Sequence, residues 1–114
     1  MTRSMELTSE MRDGVQVVHA KGEIDLNVSP ELRRTLLDAL SGGHDLLVDL
    51  HEVGFIDSSG IASLVEALQA ARRHGCRFAL ARVSAPALRV IRLAQLDRVF
   101  TLLDEIDPAF GGSA

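Results

Sequence analysis

The chain has 114 residues, of which 46% are hydrophobic and 25% charged, and its formal net charge is −4. This length suits one domain with a core of its own. The negative charge argues against nucleic acid or an anionic membrane as an electrostatic partner. The single cysteine, Cys76, allows no internal disulfide, the N-terminus is too polar for a signal peptide, and no apolar run reaches membrane-spanning length. We therefore expect one cytoplasmic domain over residues 1–114, without a membrane span.

The first third of the chain predicts a strand hairpin followed by a helix. Residues 15–20 have the β-branched composition of a strand, and residues 5–8 are predicted to pair with it as an edge strand. A polar turn is expected at residues 22–25, which read Gly-Glu-Ile-Asp. Ser29 as the cap and Pro30 as the first helical residue predict the start of an amphipathic helix.

The remaining elements alternate between strands and helices. Residues 46–50 form a near-continuous apolar run, which is typical of a strand buried on both faces. The sequence further predicts, in order, a helix after residue 57, a strand at 77–81, a helix begun by Ser84 and Pro86, a short strand at 99–103 and a loose tail at 107–114. This alternation predicts an α/β sandwich, in which a mixed, largely parallel sheet of about four to five strands packs against helices.

The most informative segment is the run from Phe55 to Ile61, which contains Asp57-Ser58-Ser59-Gly60. It joins the predicted central strand to the second helix, so it exposes a hydroxyl at a helix N-terminus. Free backbone N–H groups and the helix dipole favour negative charge there, and the turn is therefore suited to carry a phosphate. On this local pattern alone, a plain cap formed by Asp57 or Ser58 is favoured over a modification site, because such caps begin most helices.

The turn does not have the pattern of an enzyme active site. A hydrolase nucleophile elbow needs Gly-x-Ser-x-Gly, whereas this run lacks the first glycine and places an acid beside Ser58. None of the four histidines has the spacing of a catalytic base or a metal ligand. No glycine-rich nucleotide-binding loop is present. We therefore expect a protein that is not an enzyme and that uses neither a metal nor a cofactor.

Four segments together resemble a known family. The run from Phe55 to Ile61 resembles the signature of the STAS domain, as found in bacterial anti-sigma factor antagonists, and residues 22–25 resemble its Gly-Glu-x-Asp hallmark. Two further segments match, at residues 84–88 and 96–100. The order and spacing agree over roughly residues 7–103, which we expect to be the core of a single STAS domain. One departure is Gln95-Leu96, where the family often has Gly-Leu, and it concerns the loop after the third helix.

The resemblance implies a phosphorylation site and a partner surface. The serine directly after the signature aspartate is the family's acceptor, which is Ser58 here, with Ser59 as the runner-up because the sequence does not separate adjacent hydroxyls. The implied partner-binding residues are Asp25, Asn27, Asp57, Ser58, Ser59 and Gly60. Two roles stay open for Asp57: it positions the serine or a kinase-bound magnesium ion, or it only bonds the N–H groups of the helix.

The resemblance also implies a mechanism, partner switching. The unmodified protein would bind an anti-sigma factor that is a serine kinase and so release a sigma factor, and phosphorylation would end that binding without unfolding the protein. A PP2C-type phosphatase would restore it. The alternative is an accessory subunit or regulator of a membrane transporter, either a lipid ABC system or an anion carrier, since STAS-like domains occur there too. A third interpretation is a scaffold piece of a larger sensory assembly.

Overall fold

The computed structural model describes residues 5–110 and, within them, five strands and three helices. In chain order the elements are β1 (Met5–Arg12), β2 (Val15–Ile24), α1 (Ser29–Ser41), β3 (Asp45–Ile56), α2 (Ser58–His74), β4 (Phe78–Ala81), α3 (Ala85–Leu93) and β5 (Leu102–Leu103). After the opening hairpin, strands alternate with helices, as the sequence predicts.

The strands form one sheet in chain order, from β1 to β5. β1 pairs antiparallel with β2, and each later pair is parallel. The hairpin turns at Asp13 and Gly14, whose φ angles of 52° and 82° are both positive, as a two-residue type I′ loop requires. The predicted α/β fold, with its edge hairpin and its mixed, largely parallel sheet, is therefore confirmed.

The three helices pack on one face of the sheet and share one apolar core with it. The predicted leucine stripe of α1 lies in this core, where Leu32, Leu36 and Leu40 are fully buried and Leu37 is partly buried at the margin. Residues 46–50 of β3 are buried throughout, as predicted for a strand covered on both sides. Because side chains alternate along a strand, the residues between those of the main core form a second, smaller cluster on the opposite face.

Two predictions at the start of α1 are wrong. Gly22 to Ile24 are not a turn but the end of β2, which stays paired with β3 as far as Ile24 opposite Ile56, through two register shifts. The turn begins at Asp25, directly after the end of β2. Ser29 is not the cap of α1, because Val28 occupies the cap position and makes no side-chain bond there. The carbonyl of Asp25 accepts from the backbone N–H of Val28 at 3.1 Å and of Ser29 at 2.8 Å. A backbone carbonyl thus takes the place of the predicted serine cap.

The predicted last strand is much shorter than expected. Only Leu102 and Leu103 pair with β4, whereas Val99 and Phe100 lie in a turn. Their N–H groups both donate to the carbonyl of Leu96, at 3.0 Å each, and so cannot join the sheet. Phe100 is nevertheless buried, and its ring lies 6.4 Å from that of Phe78.

The predicted loose tail is wrong for residues 107–110, while residues 111–114 lie outside the described part of the chain. Phe110 is only 5% exposed and covers the second apolar cluster, in which Val17 of β2 and Leu47 of β3 are fully buried. Arg77 fastens it: the guanidinium lies 5.0 Å from the centre of the Phe110 ring, and Nη1 donates to the Phe110 carbonyl at 2.6 Å. The end of the described chain therefore closes the sheet face that no helix covers.

This contact predicts a stability change in a Phe110→Ala variant. Removing the ring uncovers the second cluster, so we expect the free energy of unfolding to fall by about 3 kcal/mol, measured by urea denaturation. Phe55→Ala is the matched control, because that ring is 48% exposed, and its loss should cost less than about 1 kcal/mol. Equal effects of the two substitutions would show that the chain end does not hold the sheet.

At Gly60, helix α2 comes unusually close to the ends of β2 and β3. A Cβ atom added there would lie 2.6 Å from Cγ1 of Ile56 and 2.7 Å from Cγ2 of Ile24. Both isoleucines are fully buried, so neither can turn aside into solvent. Glycine is therefore required by the packing of the helix against the strand ends, and this close approach fixes the position of the preceding residues 57–59.

We expect Gly60→Ala to lower the free energy of unfolding by about 1–3 kcal/mol, the usual cost of overpacking a core. Alanine gains about 1 kcal/mol over glycine inside a helix, so the measured loss is what remains after that gain. Gly54→Ala is the matched control because a Cβ there meets no atom within 4 Å. Urea denaturation should place Gly54→Ala within about 0.5 kcal/mol of the unsubstituted protein; a similar result for Gly60→Ala would contradict the close packing.

Candidate functional site

The predicted acceptor turn, Asp57-Ser58-Ser59-Gly60, lies where β3 passes into α2. The backbone N–H of Asp57 donates to the carbonyl of Ile24 at 3.1 Å, which ties the turn to the end of β2. Carboxyl ends of neighbouring parallel strands meet at one edge of a sheet, which is where ligand and partner sites of α/β proteins usually form. The turn is therefore placed at an edge suited to binding.

Asp57 is the cap of α2, which resolves the choice between Asp57 and Ser58. Its backbone is extended, with φ −102° and ψ −174°, and its Oδ1 accepts from the N–H of Ser59 at 2.9 Å and of Gly60 at 3.2 Å. The same oxygen accepts from the hydroxyl of Ser59 at 2.5 Å. That hydroxyl, together with the N–H groups of Gly60, Ser59 and Leu26, holds the pKa of Asp57 below its ordinary value, although partial burial opposes the shift. Asp57 is therefore a carboxylate at neutral pH.

The two serines of the turn differ in a way that the sequence does not reveal. Ser58 is exposed, and its hydroxyl makes no hydrogen bond with any residue in the range 5–110. Ser59 is half-buried, and its hydroxyl is directed at Asp57. Behind it, the buried hydroxyl of Ser63 lies 3.0 Å from the Ser59 carbonyl and 3.2 Å from the carbonyl of Ser29, which links α2 to α1. One hydroxyl is thus free at the surface, and its neighbour is part of the scaffold.

The loop between β2 and α1 lies against this turn. Asp25 is half-buried and folds the loop locally, since its Oδ1 accepts from the N–H of Asn27 at 3.0 Å. The backbone N–H of the next residue, Leu26, contributes to the lowered pKa of Asp57, so the loop lies beside the turn. Of the six predicted partner residues, five therefore share one exposed or half-exposed edge, while the sixth, Gly60, is buried beneath it.

Sequence reasoning missed two apolar residues at this edge. Leu26 is 71% exposed and Phe55 is 48% exposed, so both stand in water next to the polar turn. Leu26 lies in the loop between two polar residues, Asp25 and Asn27, and Phe55 lies near the end of β3, two residues before Asp57. Both add exposed apolar surface close in the chain to the predicted partner residues.

The geometry offers no catalytic machinery around Ser58. A nucleophilic serine is activated by a hydrogen-bonded base, and the Ser58 hydroxyl has none among the described residues. Across residues 5–110 there is no group of three or more histidine, cysteine, aspartate or glutamate side chains that could hold a metal ion. Over the same range, no helix combines the length and the apolar character needed to cross a membrane.

Comparison with known proteins gives a consistent result. The anti-sigma-B factor antagonist of Bacillus subtilis is 30% identical to this chain over 95 residues, which are 83% of this chain and 84% of that protein. The crystal structure of an anti-sigma factor antagonist from Mycobacterium paratuberculosis is 28% identical, with a TM-score of 0.85 and coverage of 96% of this chain and 93% of that chain.

The fold is also shared with a protein whose phosphorylated state is known. SpoIIAA, a Bacillus cell fate determinant, has been solved in its phosphorylated form, which is 19% identical with a TM-score of 0.71 and coverage of 91% of this chain and 96% of that chain. Its unphosphorylated form, described as an anti-sigma factor antagonist, is 18% identical with a TM-score of 0.76 and coverage of 91% and 92%. Residues 6–109 match the STAS domain family. The chain therefore belongs to the STAS domain family.

Proposed function

We propose that this protein is an anti-sigma factor antagonist that works by partner switching, and that Ser58 is its phosphorylation site. In its unmodified form it binds an anti-sigma factor that is a serine kinase, and a sigma factor is released. Phosphorylation of Ser58 ends the complex, and a PP2C-type phosphatase restores it. The relatives with 28% and 30% identity are anti-sigma factor antagonists, which supports the assignment.

The observation that carries the proposal is the contrast between the two serine hydroxyls. A kinase needs the acceptor oxygen in its own active site, so an exposed hydroxyl without a hydrogen bond costs least to present. Ser58 meets this condition, whereas Ser59 would first have to give up its 2.5 Å bond to Asp57 and thereby weaken the helix cap. We therefore assign the phosphate to Ser58 and a positioning role to Ser59.

The cap also explains how a phosphate could end binding while the fold remains. A phosphoserine brings a charge of roughly −1.5 to −2 at neutral pH. The N–H groups of Ser59 and Gly60 are already bonded to Asp57, so the phosphate lies beside a carboxylate and extends into solvent. Its charge disturbs no buried group, but it changes the surface that a partner meets, from one neutral hydroxyl to a concentrated negative patch. SpoIIAA, which shares the fold in both states, is consistent with this tolerance.

Asp57 keeps two roles in this proposal. It holds the helix start through its bonds to backbone N–H groups, and its ionised carboxylate stands directly before the acceptor serine. The bonds from Ser59 and Gly60 all use Oδ1 as the acceptor, and the ionised carboxylate can in addition contact a magnesium ion brought by the kinase. The kinase supplies ATP and the catalytic groups, and the antagonist itself is not an enzyme. A partner that uses ATP in this way places both proteins in the cytoplasm.

The phosphorylation site is tested with ATP and the candidate kinase, followed by peptide mass spectrometry. We expect one phosphate on Ser58 in the unsubstituted protein and in Ser59→Ala, and none in Ser58→Ala. Ser59→Ala is the matched control because it removes the neighbouring hydroxyl and leaves the proposed acceptor in place. Phosphate on Ser59 in the Ser58→Ala protein at the same rate would contradict the assignment.

The charge mechanism is tested by the affinity of Ser58→Asp for the same kinase, measured by calorimetry. We expect binding to weaken about tenfold or more, on the order of 1.4 kcal/mol, while the thermal unfolding midpoint changes little. Ser9→Asp is the matched control, because it adds the same charge at an exposed serine on β1, away from the turn. If both variants bound equally well, the position of the charge would not matter and the mechanism would be wrong.

A further inference from the structure

On the sheet face opposite the helices, His19 of β2 lies between two carboxylates. Its Nδ1 is 2.7 Å from Oδ2 of Asp49 on β3, and its Nε2 is 2.7 Å from Oε2 of Glu10 on β1. These distances are those of charge-assisted hydrogen bonds, and an ionised carboxylate can only accept. Both ring nitrogens must therefore carry a hydrogen, so this geometry is that of the positively charged imidazole ring.

The inner end of this bridge is buried and held from several sides. Asp49 is only 4% exposed, and it also accepts from Arg82 through Nη2 at 2.6 Å and Nε at 3.2 Å. The backbone N–H of His51 donates to it at 3.1 Å. Burial raises the pKa of Asp49, but the hydrogen bonds from Arg82, His19 and His51 outweigh it and lower the pKa below the ordinary value. Asp49 thus stays ionised and needs its hydrogen-bond donors, because an unpaired buried carboxylate is costly.

The outer end of the bridge is loosely held. The Glu10 side chain is 43% exposed, and among residues 5–110 it bonds, besides His19, only Arg12 on its own strand, at 3.0 Å. The hydrogen bonds from His19 and Arg12 keep its pKa below the ordinary value. Further charged groups on this face are Lys21 of β2, Glu6 of β1 opposite it, and Glu52 of β3, which lies 3.8 Å from Lys21. The Glu10 side chain can therefore rotate away into solvent when His19 no longer bonds it.

We propose that His19 is a pH-sensitive latch that fastens the edge strand β1 to the rest of the sheet. A neutral imidazole has one N–H, so loss of the proton must break one of the two contacts. The buried Asp49 keeps its donor on Nδ1, and the Nε2 lone pair then faces the Glu10 carboxylate, which moves away. Proton loss from His19 therefore loosens the end of β1 next to the hairpin turn and leaves the buried charges paired.

The direction of the pH effect follows from the environment of the ring. Burial disfavours the charge on His19, but the hydrogen bonds to Asp49 and Glu10 outweigh burial and raise the pKa above its ordinary value of about 6.5. A raised folded-state pKa means that the latch contributes its full stability below about pH 6.5, the unfolded value, and loses it as the pH rises through the folded value. The contact between His19 and Glu10 therefore forms at low pH and is lost as the pH rises.

The latch is tested by nitrogen NMR of the histidine rings and by amide hydrogen exchange, both as functions of pH. As His19 titrates, we expect its neutral form to carry the hydrogen on Nδ1. Over the same pH range, exchange protection of the β1 amides, corrected for the intrinsic rate, should fall by a factor of roughly two to five, the worth of a partly exposed ion pair. Protection of the β4 amides in the sheet interior should not change in step.

Glu10→Gln removes one of the two carboxylates and should shift the His19 titration to lower pH and abolish the step in β1 protection. Glu6→Gln is the matched control, because it removes the same charge from an exposed position of the same strand. The proposal is overturned if neutral His19 carries its hydrogen on Nε2, if β1 protection is unchanged through the titration, or if the two variants give the same His19 midpoint. Neither substitution touches the acceptor turn, so the outcome is independent of the proposed function.

Discussion

One carboxylate oxygen, Oδ1 of Asp57, organises the start of α2. It accepts from two backbone N–H groups and from the hydroxyl of Ser59, while the neighbouring Gly60 allows the helix to touch the buried ends of β2 and β3. These two constraints act on the same turn of chain. Because Ser59 and Gly60 are held in place, Ser58 is the residue of the turn whose side chain is left outside, at a position fixed by its neighbours rather than by its own contacts.

The two faces of the sheet handle charge in different ways. On the helix side the core is apolar, and the ionised groups of the acceptor turn stay at its rim, where water reduces their cost. On the other face a carboxylate is buried at Asp49, and it is tolerated because Arg82 and His19 donate to it. Phe110 packs on the apolar part of that face, together with Leu103 and Ile106. In this protein, a polar cluster and the end of the described chain thus cover the side of the sheet that carries no helices.

Patterns within one element were sufficient to predict most of the fold. The leucines of α1, the apolar run of β3 and the Asp-Ser-Ser-Gly helix start are local signals, and each element lies where its pattern indicates. The errors arose where a distant partner decides the structure. Pairing with β3 extends β2 to Ile24, and the carbonyl of Asp25 replaces the predicted cap at Ser29. Phe110 is held in place by its contacts with Arg77 and with the sheet. Nothing in the sequence next to Phe110 indicates this position.

The same difference between local patterns and distant contacts applies to the residues of the candidate site and of the proposed latch. The cap at Asp57 could be predicted because a cap motif is local, whereas Ser58 is expected to be the acceptor only from the family resemblance. Which of the two serine hydroxyls bonds the carboxylate cannot be predicted from two adjacent serines in a sequence. The contacts of His19 join residues 9 and 30 positions apart, so no spacing rule could have found them. In both cases the structure depends on which donor bonds a particular carboxylate. Such a bond hardly affects the secondary-structure propensity of its own segment, so it can be identified only in the folded structure.

A phosphate switch and a proton latch place opposite demands on their surroundings. A phosphate must be added without disturbing the core, which requires an exposed hydroxyl, and the proposed acceptor Ser58 meets this condition. A proton affects how firmly a strand is held when its site is partly buried and its partners are charged, as proposed for His19, whose side chain is 27% exposed. Asp57 follows directly after the end of β3, whereas Asp49, which bonds His19, lies near the middle of that strand. A charge added at the turn would therefore not contact the ion pairs of Asp49.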